Sequence, residues 1–174
     1  MLTRDAARML ARYNAWADKV MFDAAAKLPP GEDVKPRVSL FKNIVHTLNH
    51  NYIVDEIWRG HLEGRDHGYT ARNTPDHPPL AELWQKQHAA HQWYIAWADG
   101  MTDAALAGTV KYQLIGSTAG EMTRGQILLH IVTHHNYHRG FAADLFFQVR
   151  GHRAPIMDLP VYVRDAPPEY RVPA

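Results

Sequence analysis

The chain has 174 residues, of which 46% are hydrophobic, a size that suits one hydrophobic core, so we expect a single domain over residues 1–174. Its 19 Lys and Arg nearly balance its 18 Asp and Glu, and it has no cysteine, which excludes a strongly basic nucleic-acid surface, disulfides and thiolate ligands. No stretch approaches the roughly 20 apolar residues of a membrane span, and the N-terminus does not resemble a leader, so we expect a soluble, cytoplasmic protein.

Helical periodicity predicts the first two elements. Thr3 indicates a helix start, and apolar residues then recur at helical spacing until Pro29. Ser39 is predicted to cap a second helix that runs to about Gly60. One stripe of the second helix holds two histidines among apolar residues: His46, His50, Ile53, Val54, Ile57 and Trp58.

Residues 61–79 are rich in Gly, Pro, Asn and Asp and predict a long crossover connection to a third helix. The same periodicity predicts that helix from about Leu80 to Asp99, with His91 on its buried stripe. Next, Thr109 to Gln113 alternates polar and apolar residues, and residues 116–120 supply turn formers. We therefore expect a short hairpin or an irregular loop before the last helix.

The fourth helix is predicted from a cap at Thr123 to an end at Gly151. The tail from Pro155 is expected to pack across the bundle through Met157, Leu159, Val161 and Tyr162. Four long helices with one apolar stripe each, and a long crossover between the second and third, predict an all-α four-helix bundle.

Histidines at helical spacing indicate a metal site. In the fourth helix His130, His134 and His138 fall on one stripe, and His46 and His50 do so in the second. Two imidazoles one turn apart can share a metal ion, and a third from a facing helix completes a three-histidine site. Without a metal, such a cluster leaves several buried nitrogens to satisfy, whereas one divalent ion takes up three lone pairs.

These helices resemble a known family. The runs His46–Trp58 and His130–Gly140, with the tail Gly151–Tyr162, resemble the signature segments of the DinB superfamily, four-helix bundles of damage-inducible and related bacterial proteins. The resemblance implies a dimeric protein that binds a divalent metal, often nickel or zinc, and relatives that are thiol-dependent isomerases and S-transferases. Phe141 stands where members commonly have glutamine. Carried over to this chain, the implied ligands are His50, His134 and His138.

Helical geometry agrees with that selection. His134 and His138 leave the same helix side, and His50 lies at the centre of its stripe. His46 and His130 lie one turn further along, as alternative ligands, hydrogen-bond donors to a ligand, or core residues. Neutral nitrogen donors suit zinc or nickel, with iron or manganese as alternatives. Three imidazoles leave a coordination position open, as in catalytic sites.

Other polar residues are given structural roles. His135 lies at a stripe edge and is expected to be solvated, and Asp55 is expected to face another helix or solvent. Arg139 is interpreted as a surface or salt-bridging group, or else as a contact for an anionic substrate. His91 is interpreted as a buried hydrogen-bonded residue, with the metal pocket as its alternative. A solvated role is also predicted for His61, His67, His77, His88 and His152.

The predicted function is a metal-dependent enzyme that acts with a small thiol, as an S-transferase or isomerase, because a cysteine-free chain must receive its thiol from a substrate. The alternatives are a metal-dependent hydrolase and a non-catalytic metal-binding stress-response protein, and no catalytic residue is assigned. Trp93, Tyr94 and Trp97 exceed what one helix stripe can bury, which predicts an exposed apolar patch and a homodimer.

Overall fold

A computed structural model describes residues 2–116 and 119–173, in which four long helices form the body of a bundle. In chain order the elements are α1 (Arg4–Ala25), α2 (Ile44–Glu63), α3 (Leu80–Asp99), the short α4 (Asp103–Ala107), strands β1 (Thr109–Gln113) and β2 (Ala119–Thr123), α5 (Arg124–Phe146), the short α6 (Leu159–Asp165) and a 3₁₀ turn (Pro168–Tyr170). The predicted all-α four-helix bundle is confirmed. Across the described part of the chain, no helix combines the length and apolar character needed to cross a membrane.

Side-chain caps determine where the long helices begin. The Thr123 hydroxyl accepts from the Gln126 amide, and the Gln126 side chain accepts from the Thr123 amide, which forms a capping box at the start of α5. The predicted start of α2 at Ser39 is wrong. Asn43 caps α2 instead, because its Oδ1 accepts from the His46 amide at 2.7 Å.

The predicted end of the fourth helix at Gly151 is late by one turn. α5 ends at Phe146, and the next three amides, of residues 147–149, bond three residues back at 3.0–3.2 Å. Such bonds tighten the last turn and satisfy carbonyls that a helix end leaves free.

A buried polar layer separates the apolar clusters of the bundle. On α1, Asp18 lies between Trp16, in one apolar cluster, and Met21, in another. The other long helices carry polar residues at the same level, and each is at most 1% exposed. We define the polar layer as Asp18, Asp55, Gln87, His91, His135 and Arg139.

The predicted hairpin before the last helix is present. β1 and β2 pair antiparallel, from Thr109 opposite Thr123 to Gln113 opposite Ala119. Its predicted turn, residues 116–120, includes residues 117 and 118, which lie outside the described residues.

The tail packs on α1, as predicted, through the ring of Tyr162, which lies 5.5 Å from the ring of Tyr13 and 5.6 Å from that of Trp16. Met157 and Val161 also pack against this cluster, whereas Leu159 is 39% exposed. The tail therefore covers the middle of α1.

The aromatic residues of α3 do not form the predicted exposed patch. Tyr94 is buried, and Trp93 and Trp97 are half-buried because each packs on a different apolar cluster. The Arg59 guanidinium lies 5.0 Å from the Trp93 ring centre and covers it further. The homodimer stays a prediction, now without this support. Large exposed apolar side chains lie elsewhere, among them Leu129, Tyr137, Phe147 and Ile156.

Candidate metal centre

Three histidines from α2 and α5 converge at one point. Nε2 of His50 lies 3.1 Å from Nε2 of His134. One ring nitrogen from each of His50, His134 and His138 lies within 4.8 Å of the other two. α2 packs along α5, which brings together residues 84 positions apart in the chain. The structure thus places the three predicted ligands in one cluster, hereafter the histidine triad.

A backbone carbonyl of the crossover loop orients His50. Its Nδ1 donates a hydrogen bond to the carbonyl oxygen of Arg72 at 2.6 Å. A neutral imidazole protonated at Nδ1 keeps its lone pair on Nε2, the atom that faces His134. Sequence reasoning missed this contact because a backbone oxygen has no residue-type signal.

Side chains of α2 fasten that loop. Asn49 Nδ2 donates to Asn73 Oδ1 and to Thr74 Oγ1, both at 2.7 Å, and Asn73 Nδ2 donates to the His46 carbonyl at 3.1 Å. The His46 ring donates through Nε2 to the Thr74 carbonyl at 2.8 Å. Of the alternatives for His46, the structure therefore supports neither a ligand nor a donor to one. His46 instead holds the loop whose Arg72 carbonyl accepts the hydrogen bond from His50.

The triad is electrically neutral at pH 7. Burial lowers the pKa of His50 and of His138 to about 4 and that of His134 to about 2, and the positive charge of His135 acts in the same direction on all three. Neutral rings keep lone pairs that a metal ion can use. No proton has to be displaced from the triad before an ion binds at neutral pH.

The donor set fits a divalent transition metal. Two nitrogens bound at the usual ~2.0–2.1 Å to one tetrahedral ion lie about 3.3 Å apart, close to the 3.1 Å between the two Nε2 atoms. Nδ1 of His134 and Nδ1 of His138 are buried and have no hydrogen-bond partner within residues 2–116 and 119–173. Each of these buried nitrogens needs a hydrogen-bond partner or an ion that the described protein atoms do not supply.

His135 belongs to the polar layer and not to the solvated surface, so the sequence prediction for it is wrong. Its Nδ1 lies 2.8 Å from Asp18 Oδ2 and its Nε2 lies 2.8 Å from Asp55 Oδ1. Burial opposes a charge on the ring, but Asp55 and Asp18 raise the pKa of His135 to about 9. Since both nitrogens face a carboxylate, both donate, and the ring is an imidazolium.

Arg139 completes the charge balance of the polar layer. Its Nη1 donates to Asp18 Oδ1 at 2.7 Å and to Asn14 Oδ1 at 2.8 Å, and its Nη2 donates to Asn136 Oδ1 at 2.6 Å. Of the alternatives for Arg139, the salt-bridging role is correct, and the surface position is wrong because the residue is 1% exposed. Two carboxylates thus balance two buried cations, His135 and Arg139.

Asp18, His91 and His135 also place ligand atoms within 4.8 Å of one another. In this group, however, His91 Nε2 and His135 Nδ1 both lie within 2.9 Å of the same Asp18 oxygen, and Arg139 pairs with the other. A metal ion here would displace a proton from His135 and lie beside a guanidinium. The histidine triad is therefore the better candidate, and His91 is a buried hydrogen-bonded residue.

Comparison with known proteins agrees with this architecture. The family model described as "DinB family" matches residues 1–170. The chain belongs to the DinB family. It is similar to "Protein DinB" of Bacillus subtilis (strain 168), at 27% identity over an alignment that covers 87% of this chain and 90% of that relative. The resemblance seen in the histidine-bearing helices is thus confirmed over nearly the whole chain.

Two cavities of this DinB-family chain share the residues His134 and Arg72. The apolar cavity, about 250 Å³, is also lined by Val54, Ile57, Trp58, Tyr112, Met122 and His130. The outer cavity, about 490 Å³, is also lined by Leu40, Phe41, His50, Asn73, Tyr137 and His138. The triad is therefore reachable from two separate spaces.

His130 is part of the apolar cavity wall. Its ring lies edge-on to Trp58 at 5.0 Å between centres, and burial lowers its pKa. Of the alternatives for His130, the structure thus favours a wall residue. At the family's glutamine position, Phe141 places an aromatic ring 6.0 Å from the His138 ring centre, so this side of the triad is apolar here.

Proposed function

We propose that the chain binds one zinc or nickel ion through His50, His134 and His138 and uses it in a group-transfer or isomerisation reaction with a small thiol. The observation that carries the proposal is the convergence of three neutral ring nitrogens beside two cavities. DinB-family membership supports it. A bacterial, cytoplasmic setting and a homodimer belong to the same proposal.

A divalent cation lowers the pKa of a thiol that coordinates it and so supplies a thiolate at neutral pH. The protein's residues favour that ligand, because three neutral imidazoles bring no negative charge that would repel a thiolate. His134 is only half-buried, which leaves a side from which a ligand can approach. Phe41 and Tyr137 line the outer cavity and offer apolar contact to the thiol's carbon chain.

Two observations favour a thiol over water as the nucleophile. Among the described residues, no carboxylate lines either cavity, and Asp18 and Asp55 are paired inside the polar layer, so a carboxylate base for water is missing. Two cavities also suit a reaction with two substrates better than hydrolysis of one. The hydrolase is therefore the second candidate.

Cobalt substitution tests the proposal. Cobalt-loaded protein is titrated with millimolar L-cysteine, and a new sulfur-to-cobalt charge-transfer band is expected. His134→Ala should show no such band. Absence of the band, together with ester turnover that His134→Ala abolishes, would identify a hydrolase instead. Absence of both would support a non-catalytic metal-binding protein.

A further inference from the structure

Arg72 is the one charged side chain among the described residues that line the two cavities beside the triad. The residue is exposed, and its backbone carbonyl is engaged by His50. Within residues 2–116 and 119–173 its guanidinium has neither an ion-pair nor a hydrogen-bond partner. Its positive charge is therefore available to a ligand in these cavities.

The apolar cavity limits the shape of such a ligand. Its walls include Trp58 and Tyr112, whose rings meet edge-to-face at 5.0 Å between centres. Trp58 is 4% exposed, so core packing fixes the position of this wall. A volume of about 250 Å³ lies below the range of roughly 300–1,000 Å³ for drug-sized ligands. The space suits one ring or a short branched chain.

We propose that the apolar cavity binds a small monocarboxylate, with the carboxylate paired to Arg72 and an aromatic or branched apolar body against Trp58 and Tyr112. A guanidinium recognises a carboxylate through two parallel hydrogen bonds, which gives both strength and orientation. No acidic side chain among the described lining residues opposes the anion. One part of this inference rests on the proposed function, namely that the monocarboxylate is the second reactant beside the thiol.

The loop around Arg72 supports a binding role. Asn49 fastens the two residues that follow Arg72, so the backbone from which the guanidinium extends is fixed relative to α2. Because His50 uses only the Arg72 carbonyl, a substitution of the Arg72 side chain leaves the orientation of that ligand unchanged. Arg72→Gln thus removes the proposed partner of the anion and keeps the hydrogen bond that orients His50.

Calorimetric titration of the metal-loaded full chain tests the inference with phenylacetate and its neutral isostere phenylacetamide. Phenylacetate should bind about tenfold more tightly, a difference of about 1.4 kcal/mol, because a guanidinium pairs more strongly with a carboxylate than with a neutral amide. Arg72→Gln should remove that difference, and Arg72→Lys should keep part of it. The matched control is Arg65→Gln, an exposed arginine of the same loop that pairs with Glu63, and it should bind both probes as wild type does.

A second variant tests the cavity itself. Met122→Trp fills the apolar cavity and should abolish binding of both probes, while the far-ultraviolet circular dichroism spectrum reports whether the bundle is intact. The indole resonance of Trp58 should shift with phenylacetate in wild type and stay unchanged in Met122→Trp. Unchanged phenylacetate affinity in a folded Met122→Trp would overturn the assignment to this cavity.

Equal affinity for the acid and the amide, or undiminished phenylacetate binding in Arg72→Gln, would also overturn the inference. If metal removal alone abolishes phenylacetate binding and Arg72→Gln has no effect, the carboxylate binds the ion and the role of Arg72 is refuted. Failure of the proposed function looks different. A chain that binds no metal but still binds phenylacetate through Arg72 refutes the metal proposal and supports this one.

Discussion

Two adjacent histidines of α5 differ in charge at neutral pH, because His134 is neutral and His135 is positively charged. His134 lies among other imidazoles and has no carboxylate partner among the described residues, and burial lowers its pKa to about 2. His135 is fully buried, whereas His134 is only half-buried, but Asp55 and Asp18 overcome the effect of burial and raise the pKa of His135 to about 9. His135 is charged because α1 and α2 present carboxylates to it, whereas burial and the neighbouring imidazoles keep His134 neutral.

The two clusters also differ in what they leave free. In the polar layer the ring nitrogens of His135 and both terminal nitrogens of Arg139 are engaged. Within residues 2–116 and 119–173, Nδ1 of His134 and Nδ1 of His138 have no hydrogen-bond partner, whereas the unpartnered side-chain atoms of the polar layer are Gln87 Oε1 and Arg139 Nε. Successive helix residues point about 100° apart, so a His135 ring fixed between two carboxylates turns His134 toward α2. The polar layer thus positions the triad.

The largest expected effect comes from breaking the polar layer. His135→Ala should lower the free energy of unfolding by about 3–5 kcal/mol, because it leaves buried carboxylates without their partner. Urea denaturation of the metal-free chain measures this. Asp23→Ala, which removes an exposed ion pair with Lys19, should cost less than about 1 kcal/mol. A similar small change in both variants would contradict a charged His135.

Removal of a triad ligand should act on the metal and spare the fold. His134→Ala is expected to weaken zinc binding by about 3 kcal/mol, roughly a hundredfold, as one of three protein ligands is lost. Competition with a chromophoric chelator gives the affinity. His88→Ala, on the exposed side of α3, serves as the control. Zinc affinity that survives in folded His134→Ala would exclude the triad as the site.

Opposite pKa shifts predict a stability maximum near pH 6.5 for the metal-free chain. The raised pKa of His135 stabilises the fold fully below about pH 6.5, and this contribution, about 3 kcal/mol, should be lost as pH rises through about 9. The lowered pKa values of the triad affect stability at acid pH. Unfolded histidines take up protons below about pH 6.5 that the folded triad resists, so stability falls toward about pH 4.

Urea denaturation across pH 4–10 tests this profile. His135→Ala should remove the decline on the alkaline side and retain the decline on the acid side. A profile of His135→Ala that matches wild type above pH 7 would show that His135 does not titrate as inferred.

The smallest effect is expected at the loop that orients His50. Asn49→Ala should weaken zinc binding about tenfold, because residues that orient a ligand typically contribute 10–100-fold to affinity. The nitrogen chemical shifts of His50 should also show a mixture of tautomers. Asp76→Ala, which keeps the carbonyl used by Thr74, should change neither. Unchanged tautomer populations in Asn49→Ala would show that the loop does not orient His50.

The sequence was sufficient for the long elements of the fold. The periodic apolar stripes predicted four helices, and the alternation from Thr109 predicted the hairpin. Two short helices were missed, since α4 has 5 residues and α6 has 7, too few for a periodic pattern to show. The start of α2 was misplaced because Ser39 and Asn43 are both good caps, and only the turn at residues 39–42 decides between them.

The site was predictable where a residue type repeats at helical spacing and not where its partner lies on another helix. His50, His134 and His138 met the first condition and were brought together as predicted. His135 and Arg139 did not, because a polar residue at a stripe edge looks solvated until its carboxylate partners are known. One signal was available: Asp18 lies on the buried side of an otherwise largely apolar stretch from Ala15 to Phe22 that also contains Lys19, and an unpaired charge there would be costly.

The polar layer also specifies the axial register of α5. His130, His134 and His138 repeat every turn, so α5 displaced by one turn of 5.4 Å would still present two imidazoles to His50. One turn from His135, however, stand Ile131 and Arg139. A shift in either direction moves His135 or Arg139 out of the polar layer and leaves one cation for two buried carboxylates, which penalises the slipped bundle heavily. A repeating ligand motif thus gains a unique alignment from a neighbouring residue that binds no ligand.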